Sequence, residues 1–122
     1  MLTHWTRDRS RGEKVPLAWA VKRLTRDNAE AIGLMDRGLL QVGMKADVNV
    51  IDYDKLAISP PEVLYDLPAG GKRMVQRTKG YDATIVAGEI VQLNGVETGA
   101  LPGRLVRGAQ AGPEEALAVA AE

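Results

Sequence analysis

Ala83-Thr84-Ile85-Val86-Ala87-Gly88-Glu89-Ile90-Val91-Gln92-Leu93-Asn94-Gly95 holds two short runs rich in Ile and Val, a turn signal between them and another at the end. Thr84–Ala87 and Ile90–Leu93 read as antiparallel strands joined at Gly88-Glu89, a two-residue turn with glycine at its first central position. Asn94-Gly95 is a second hairpin signal. Further back, Asp47-Val48-Asn49-Val50-Ile51 alternates polar and apolar side chains, the pattern of a half-buried strand, and Arg73–Arg77 reads as another. Between these strands, residues 52–71 carry three prolines and the Gly70-Gly71 pair. They predict a long irregular excursion with one helical turn near Glu62–Tyr65. A loop of that length is usually functional or docked on a neighbour.

Towards the N-terminus the period changes. Pro16 suits the first turn of a helix, and Leu17, Ala20, Val21, Leu24, Asn28, Ala31 and Ile32 fall on one face. Lys22, Arg23, Arg26 and Asp27 occupy the other side, and Gly33 closes the segment in a left-handed conformation. Thr25 can cap a second short helix over Asp27–Ile32, so a break is expected there. Gly38 and Gly43 flank Leu39-Leu40-Gln41-Val42, a short turn-bounded apolar piece. The elements therefore read as α+β: a helical segment over residues 1–44, then antiparallel strands over residues 45–108. Residues 109–122 form an alanine-rich tail with acidic charges only, expected to be frayed and mobile.

Composition narrows the chemistry. A chain of 122 residues suffices for one domain but not for a (β/α)8 barrel of about 250 residues. Sixteen basic and sixteen acidic side chains leave no net charge, against a nucleic-acid or membrane partner. No cysteine is present, which excludes disulfides, thiolate metal sites and a cysteine nucleophile. His4 is the one histidine, so no three-histidine zinc site can form from this chain. With no phenylalanine and 4% aromatic residues, any core must be built from Val, Leu, Ile and Ala. Neither a signal peptide nor an apolar run of membrane-spanning length is visible, which points to the cytoplasm.

The densest polar cluster is His4, Trp5, Arg7, Asp8 and Arg9. His4, Trp5, Arg7 and Arg9 are candidate ligand-binding residues for an anion such as a carboxylate. The plainer reading is a surface turn whose charges pair with neighbours, because a lone histidine has no orienting partner. Gly70-Gly71-Lys72-Arg73 lacks the phosphate-loop spacing and reads as a turn into a strand. Asp47, Asp52 and Asp54 do not form a calcium-loop pattern. No catalytic and no metal-ligating residue is assigned.

Residues 28–52, from Asn28-Ala29-Glu30-Ala31-Ile32-Gly33-Leu34 through Asp36-Arg37-Gly38 to Ala46-Asp47-Val48-Asn49-Val50-Ile51-Asp52, resemble the C-terminal signature of the amidohydrolase superfamily. Three later stretches resemble its N-acyl-D-amino-acid deacylase (D-aminoacylase) branch: Tyr65-Asp66-Leu67-Pro68-Ala69-Gly70-Gly71-Lys72-Arg73, Ala83–Glu89 and Thr98-Gly99-Ala100-Leu101-Pro102-Gly103-Arg104. His4-Trp5-Thr6-Arg7-Asp8-Arg9 is similar to the segment after the last barrel strand in that branch. The resemblance implies a metal-dependent hydrolase with a barrel and a composite β-domain, in which water activated by zinc or a similar divalent metal attacks the amide of an N-acyl amino acid. It implies that the metal ligands and general base lie upstream, so this chain alone is expected to be inactive. It also implies that the helix from Pro16 is the last barrel helix and that the strands over residues 45–108 form a small, incomplete antiparallel β-sandwich. The partner is then the barrel portion of the same enzyme, or the chain associates with itself. Two other readings stand beside it: a non-catalytic assembly module or split-enzyme half, and a small domain binding carboxylates through Trp5, Arg7 and Arg9.

Overall fold

The computed structural model describes residues 1–113. Pro16 precedes α1 (Leu17–Leu24), and after a break at Thr25 the chain forms α2 (Arg26–Ala31). The break lies where the sequence places it, but the cap does not form. Thr25 Oγ1 donates to the Val21 carbonyl at 2.8 Å, so the hydroxyl stays with α1 and α2 starts without a side-chain cap. Gly33 follows with φ of 75°, closing the helical segment as expected. Leu39–Val42 forms no strand, and Leu40 and Val42 stand almost fully exposed.

Eight strands follow among the described residues: β1 (Val48–Ile51), β2 (Ala57–Ile58), β3 (Glu62–Leu67), β4 (Gly71–Val75), β5 (Thr78–Lys79), β6 (Tyr81–Val86), β7 (Glu89–Leu93) and β8 (Val96–Glu97). They make a four-stranded antiparallel sheet of order β1-β6-β7-β8 and the two-stranded pairs β2-β5 and β3-β4. The fold is α+β with an incomplete sandwich, as read from the sequence.

Two details correct that reading. Glu62–Tyr65 is not a helical turn but the start of β3, and residues 52–71 are not wholly irregular. Val63, Leu64 and Tyr65 are good strand formers, and the short turn Pro68–Gly70 returns the chain so that Val63 pairs with Met74. The β6–β7 turn is also shifted by one residue. Val86 pairs with Glu89, so Ala87 (φ 50°) and Gly88 (φ 85°) are its central residues, both left-handed as the right-handed twist of the strands prefers. Asn94 and Gly95 (φ 49° and 80°) form the expected turn between β7 and β8.

Burial is sparse. Among the described residues the buried apolar side chains are Ala20, Ala29 and Leu56. Leu17, Val21 and Leu24 on α1 are 40–43% exposed, so the apolar helix face is only partly covered by the described residues. Leu56 lies in the β1–β2 connection, where Gly80 packs against it at φ of 87°. A side chain on Gly80 would place its Cβ 2.7 Å from the Leu56 backbone. Past Gly108, Gln110 exchanges backbone hydrogen bonds with Gly33 and Met35 at 2.8 and 2.9 Å. Residues 114–122 of the alanine-rich tail lie outside the described residues.

Candidate functional site

His4–Asp8 forms one π-helical turn, closed by the Arg9 amide donating to the His4 carbonyl at 2.8 Å. The four sequence candidates divide across it. His4 meets Trp5 edge-on, with ring centroids 5.2 Å apart, and the Arg9 guanidinium lies 4.7 Å above the Trp5 ring. Arg9 Nε also donates to the Arg11 carbonyl. His4, Trp5 and Arg9 thus make one small stacked group.

Arg7 points elsewhere. Its Nε and Nη2 donate to the two Asp8 carboxylate oxygens at 2.6 and 3.1 Å. Nη1 donates to the carbonyls of Tyr53 and, at 3.1 Å, Asp54, while Nη2 reaches the Leu56 carbonyl at 2.8 Å. A guanidinium has five N–H donors, and every one here meets an acceptor within the chain. The guanidinium also lies 5.4 Å from the Tyr53 ring centre, and Thr6 Oγ1 sits 2.6 Å from the Tyr53 hydroxyl. The side-chain hydrogen bond between Arg7 and Asp8 raises the arginine pKa and holds the Asp8 carboxyl below its usual range. Arg7 and Thr6 therefore clamp the N-terminal turn onto the loop after β1. Tyr53 and these carbonyl acceptors do not stand out in the sequence, because they lie more than 45 residues away and carbonyl oxygens have no residue signature.

A second fastening joins the coil after α2 to the sheet. Arg37 pairs with Asp36 at 2.8 and 3.0 Å and reaches Asp47 at 3.6 Å. Asp47 Oδ1 accepts the Ala87 amide at 2.8 Å, so the Asp36-Arg37 pair is linked to the β6–β7 turn. The Arg37 hydrogen bond holds the Asp36 carboxyl below its ordinary 3.8. A carboxyl depressed on folding contributes stability above its unfolded pKa and loses it as pH falls through the folded value. Arg37→Gln is therefore expected to lower the melting temperature at neutral pH, with a deficit relative to the parent that shrinks below pH 3.8. Thermal melts across pH check this; a deficit constant with pH would rule out the pair as its source.

Open clefts lie elsewhere. One of about 600 Å³ is lined by Arg37, Lys45, Val86, Leu101 and Arg104, and another of about 500 Å³ by Lys55, Arg77, Lys79, Tyr81 and Gln92. Neither includes His4, Trp5, Arg7 or Arg9. Among the described residues no group of three His, Cys, Asp or Glu side chains is placed to hold a metal ion, so these residues do not fit the divalent metal that the resemblance implies. Among the same residues no helix is long and apolar enough to cross a membrane.

A search of curated proteins and one of solved structures found no match. A model of the amidohydrolase family, by contrast, matches residues 1–92. That span runs without interruption from the clamped N-terminal turn through both helices and the Asp36-Arg37-Asp47 fastening into β7. It takes in the contacts that hold the helical segment to the sheet, and through it the chain belongs to the amidohydrolase family.

Proposed function

We propose that this chain is the C-terminal portion of a metal-dependent amidohydrolase of the N-acyl-D-amino-acid deacylase type, and that it completes the fold of an enzyme hydrolysing the amide bond of N-acyl amino acids. The observation that carries this reading is the family match over residues 1–92. The sparse burial supports it. An apolar helix face that the described residues cover only in part and a sheet with open edges suit a piece that packs against a barrel. In this reading α1 and α2 are the last barrel helix, and the strands from β1 onward belong to the composite β-domain. Zinc or a similar divalent metal is held by side chains outside this chain, as are the groups that carry out the hydrolysis. This chain contributes packing and the two arginine fastenings. A carboxylate site at His4, Trp5, Arg7 and Arg9 is less favoured, because the donors of Arg7 are all engaged.

The pure 122-residue protein, supplied with zinc, is expected to show no turnover of N-acyl-D-amino acids above buffer. An antibody against residues 45–108 is expected to detect a polypeptide several times heavier than 13.1 kDa in lysate of the source cells. Steady turnover by the pure chain would overturn the assignment of catalysis to residues elsewhere. A band at 13.1 kDa would overturn the fragment reading and favour a separate assembly module that docks on a barrel-bearing partner.

A further inference from the structure

Asn94-Gly95 closes the turn between β7 and β8 and is the one Asn-Gly pair in the chain. That dipeptide carries a chemistry of its own. The backbone nitrogen of the following residue can attack the asparagine amide carbon, and glycine leaves that nitrogen unhindered by a side chain. Whether the reaction runs depends on what restrains the amide side chain and the nitrogen.

At this turn both are free among the described residues. Asn94 and Gly95 are exposed, and nothing lies within 4 Å of the place a Gly95 side chain would fill. The Asn94 main-chain N–H donates to the Asp82 carbonyl at 2.8 Å, and the Gly95 carbonyl accepts from Gln92 at 3.4 Å. Neither the Asn94 side-chain amide nor the Gly95 N–H has a hydrogen-bond partner among those residues. Ring closure takes Asn94 out of its left-handed conformation (φ 49°), so the turn must open. Little resists that opening. β8 is a two-residue strand at the edge of the sheet, paired with β7 at Leu93–Val96 and Gln92–Glu97.

The other two asparagines lack these conditions. Asn28 lies inside α2, its side chain donates to the Leu24 carbonyl at 3.3 Å, and Ala29 follows it. Asn49 lies within β1, paired with Thr84 and followed by the branched Val50.

We propose that Asn94 is a self-modification site, at which the chain deamidates without an enzyme. The Gly95 nitrogen bonds to Asn94 Cγ, the Cγ–Nδ2 bond breaks, and Nδ2 leaves as ammonia, the Gly95 amide proton making up its third hydrogen. The product is a five-membered succinimide. Water then opens the ring at either carbonyl and gives aspartate or isoaspartate. In sum, asparagine and water become an aspartyl residue and ammonia. The two products act differently on the sheet. Aspartate keeps the backbone and suits a left-handed hairpin turn before glycine. Isoaspartate runs the backbone through the side chain and lengthens a two-residue turn by one carbon. Leu93 and Val96 then lose their register, and β8 comes away from β7. Modification thus opens this edge of the four-stranded sheet irreversibly. The inference rests on the turn and does not depend on the hydrolase reading.

The test holds the purified chain in mildly alkaline buffer and samples it over time by peptide mapping, with isoaspartate counted by an isoaspartyl methyltransferase. Asn94 is expected to convert at least about tenfold faster than Asn28 or Asn49 in the same sample. Gly95→Ala is expected to slow conversion roughly tenfold, because the methyl group crowds the attacking nitrogen. In hydrogen exchange, the Val96 and Glu97 amides of the isoaspartyl form are expected to exchange roughly tenfold faster than those of Asn94→Asp, which carries the other product. Native protein that keeps Asn94 while its urea-unfolded form converts it overturns the inference, since the fold then protects the site. So do equal rates at the three asparagines, a rate untouched by Gly95→Ala, or unchanged exchange at Val96 and Glu97 in the isoaspartyl form. If Gly95→Ala fails to fold, the comparison of the three asparagines within the parent chain still decides the matter.

Discussion

Replacing Gly80 by alanine is expected to destabilise the protein by about 2–5 kcal/mol, a large part of the stability of a domain this size. Two costs combine at this position. Its φ of 87° lies in the left-handed region, which costs a residue with a Cβ roughly 1–2 kcal/mol. The new Cβ would also lie 2.7 Å from Leu56 N and Cα and 2.9 Å from the Asp52 carbonyl oxygen, backbone atoms that cannot swing away. The Gly80 carbonyl accepts the Asp52 amide at 2.8 Å, so moving the strand aside breaks the link between β1 and β6. Gly95→Ala is the control: its φ is 80°, but nothing lies within 4 Å of the added carbon, so only the conformational cost applies. Urea unfolding of both variants checks the argument. Equal losses would mean that the close approach to Leu56 contributes nothing.

Arg7→Met is expected to release the loop after β1. The substitution keeps most of the apolar stem and removes all five donors, three of which hold the carbonyls of Tyr53, Asp54 and Leu56. The Asp52 and Lys55 amides, bonded to the Gly80 carbonyl and to Asp52 Oδ1, should exchange with solvent roughly tenfold faster. Arg7→Lys is expected to behave almost as badly, because an ammonium cannot present the planar fork that these divergent acceptors require. Unchanged exchange in Arg7→Met would show that the loop is held by other contacts, with Thr6 and Tyr53 the nearest.

The sequence was most legible where one residue type answers one backbone demand. Asn94-Gly95 was readable as a turn because both residues tolerate a left-handed backbone, and the break at Thr25 was readable from the helix pattern around it. The β6–β7 turn lies one residue before the place its glycine suggests, because alanine is a poor marker of positive φ, yet Ala87 adopts it. β3 is not legible in the sequence because Pro60, Pro61 and Pro68 bracket it, and prolines weigh against a strand where the hairpin partner is not evident. The stacking of His4, Trp5 and Arg9 follows from their adjacency in the chain. The direction of Arg7 does not, because its partners are main-chain oxygens brought close only by the fold.

The four-stranded sheet also has a timetable. Its β6–β7–β8 meander closes through two-residue turns, whereas β1 must wait for a partner that begins at Tyr81, thirty residues after Ile51. At the usual pace of translation that interval is roughly 2–6 s. Throughout it a nascent Val48–Ile51 segment leaves the ribosome with no strand beside it, and the Asp47 and Asn49 side chains are the polar groups that keep it dispersed.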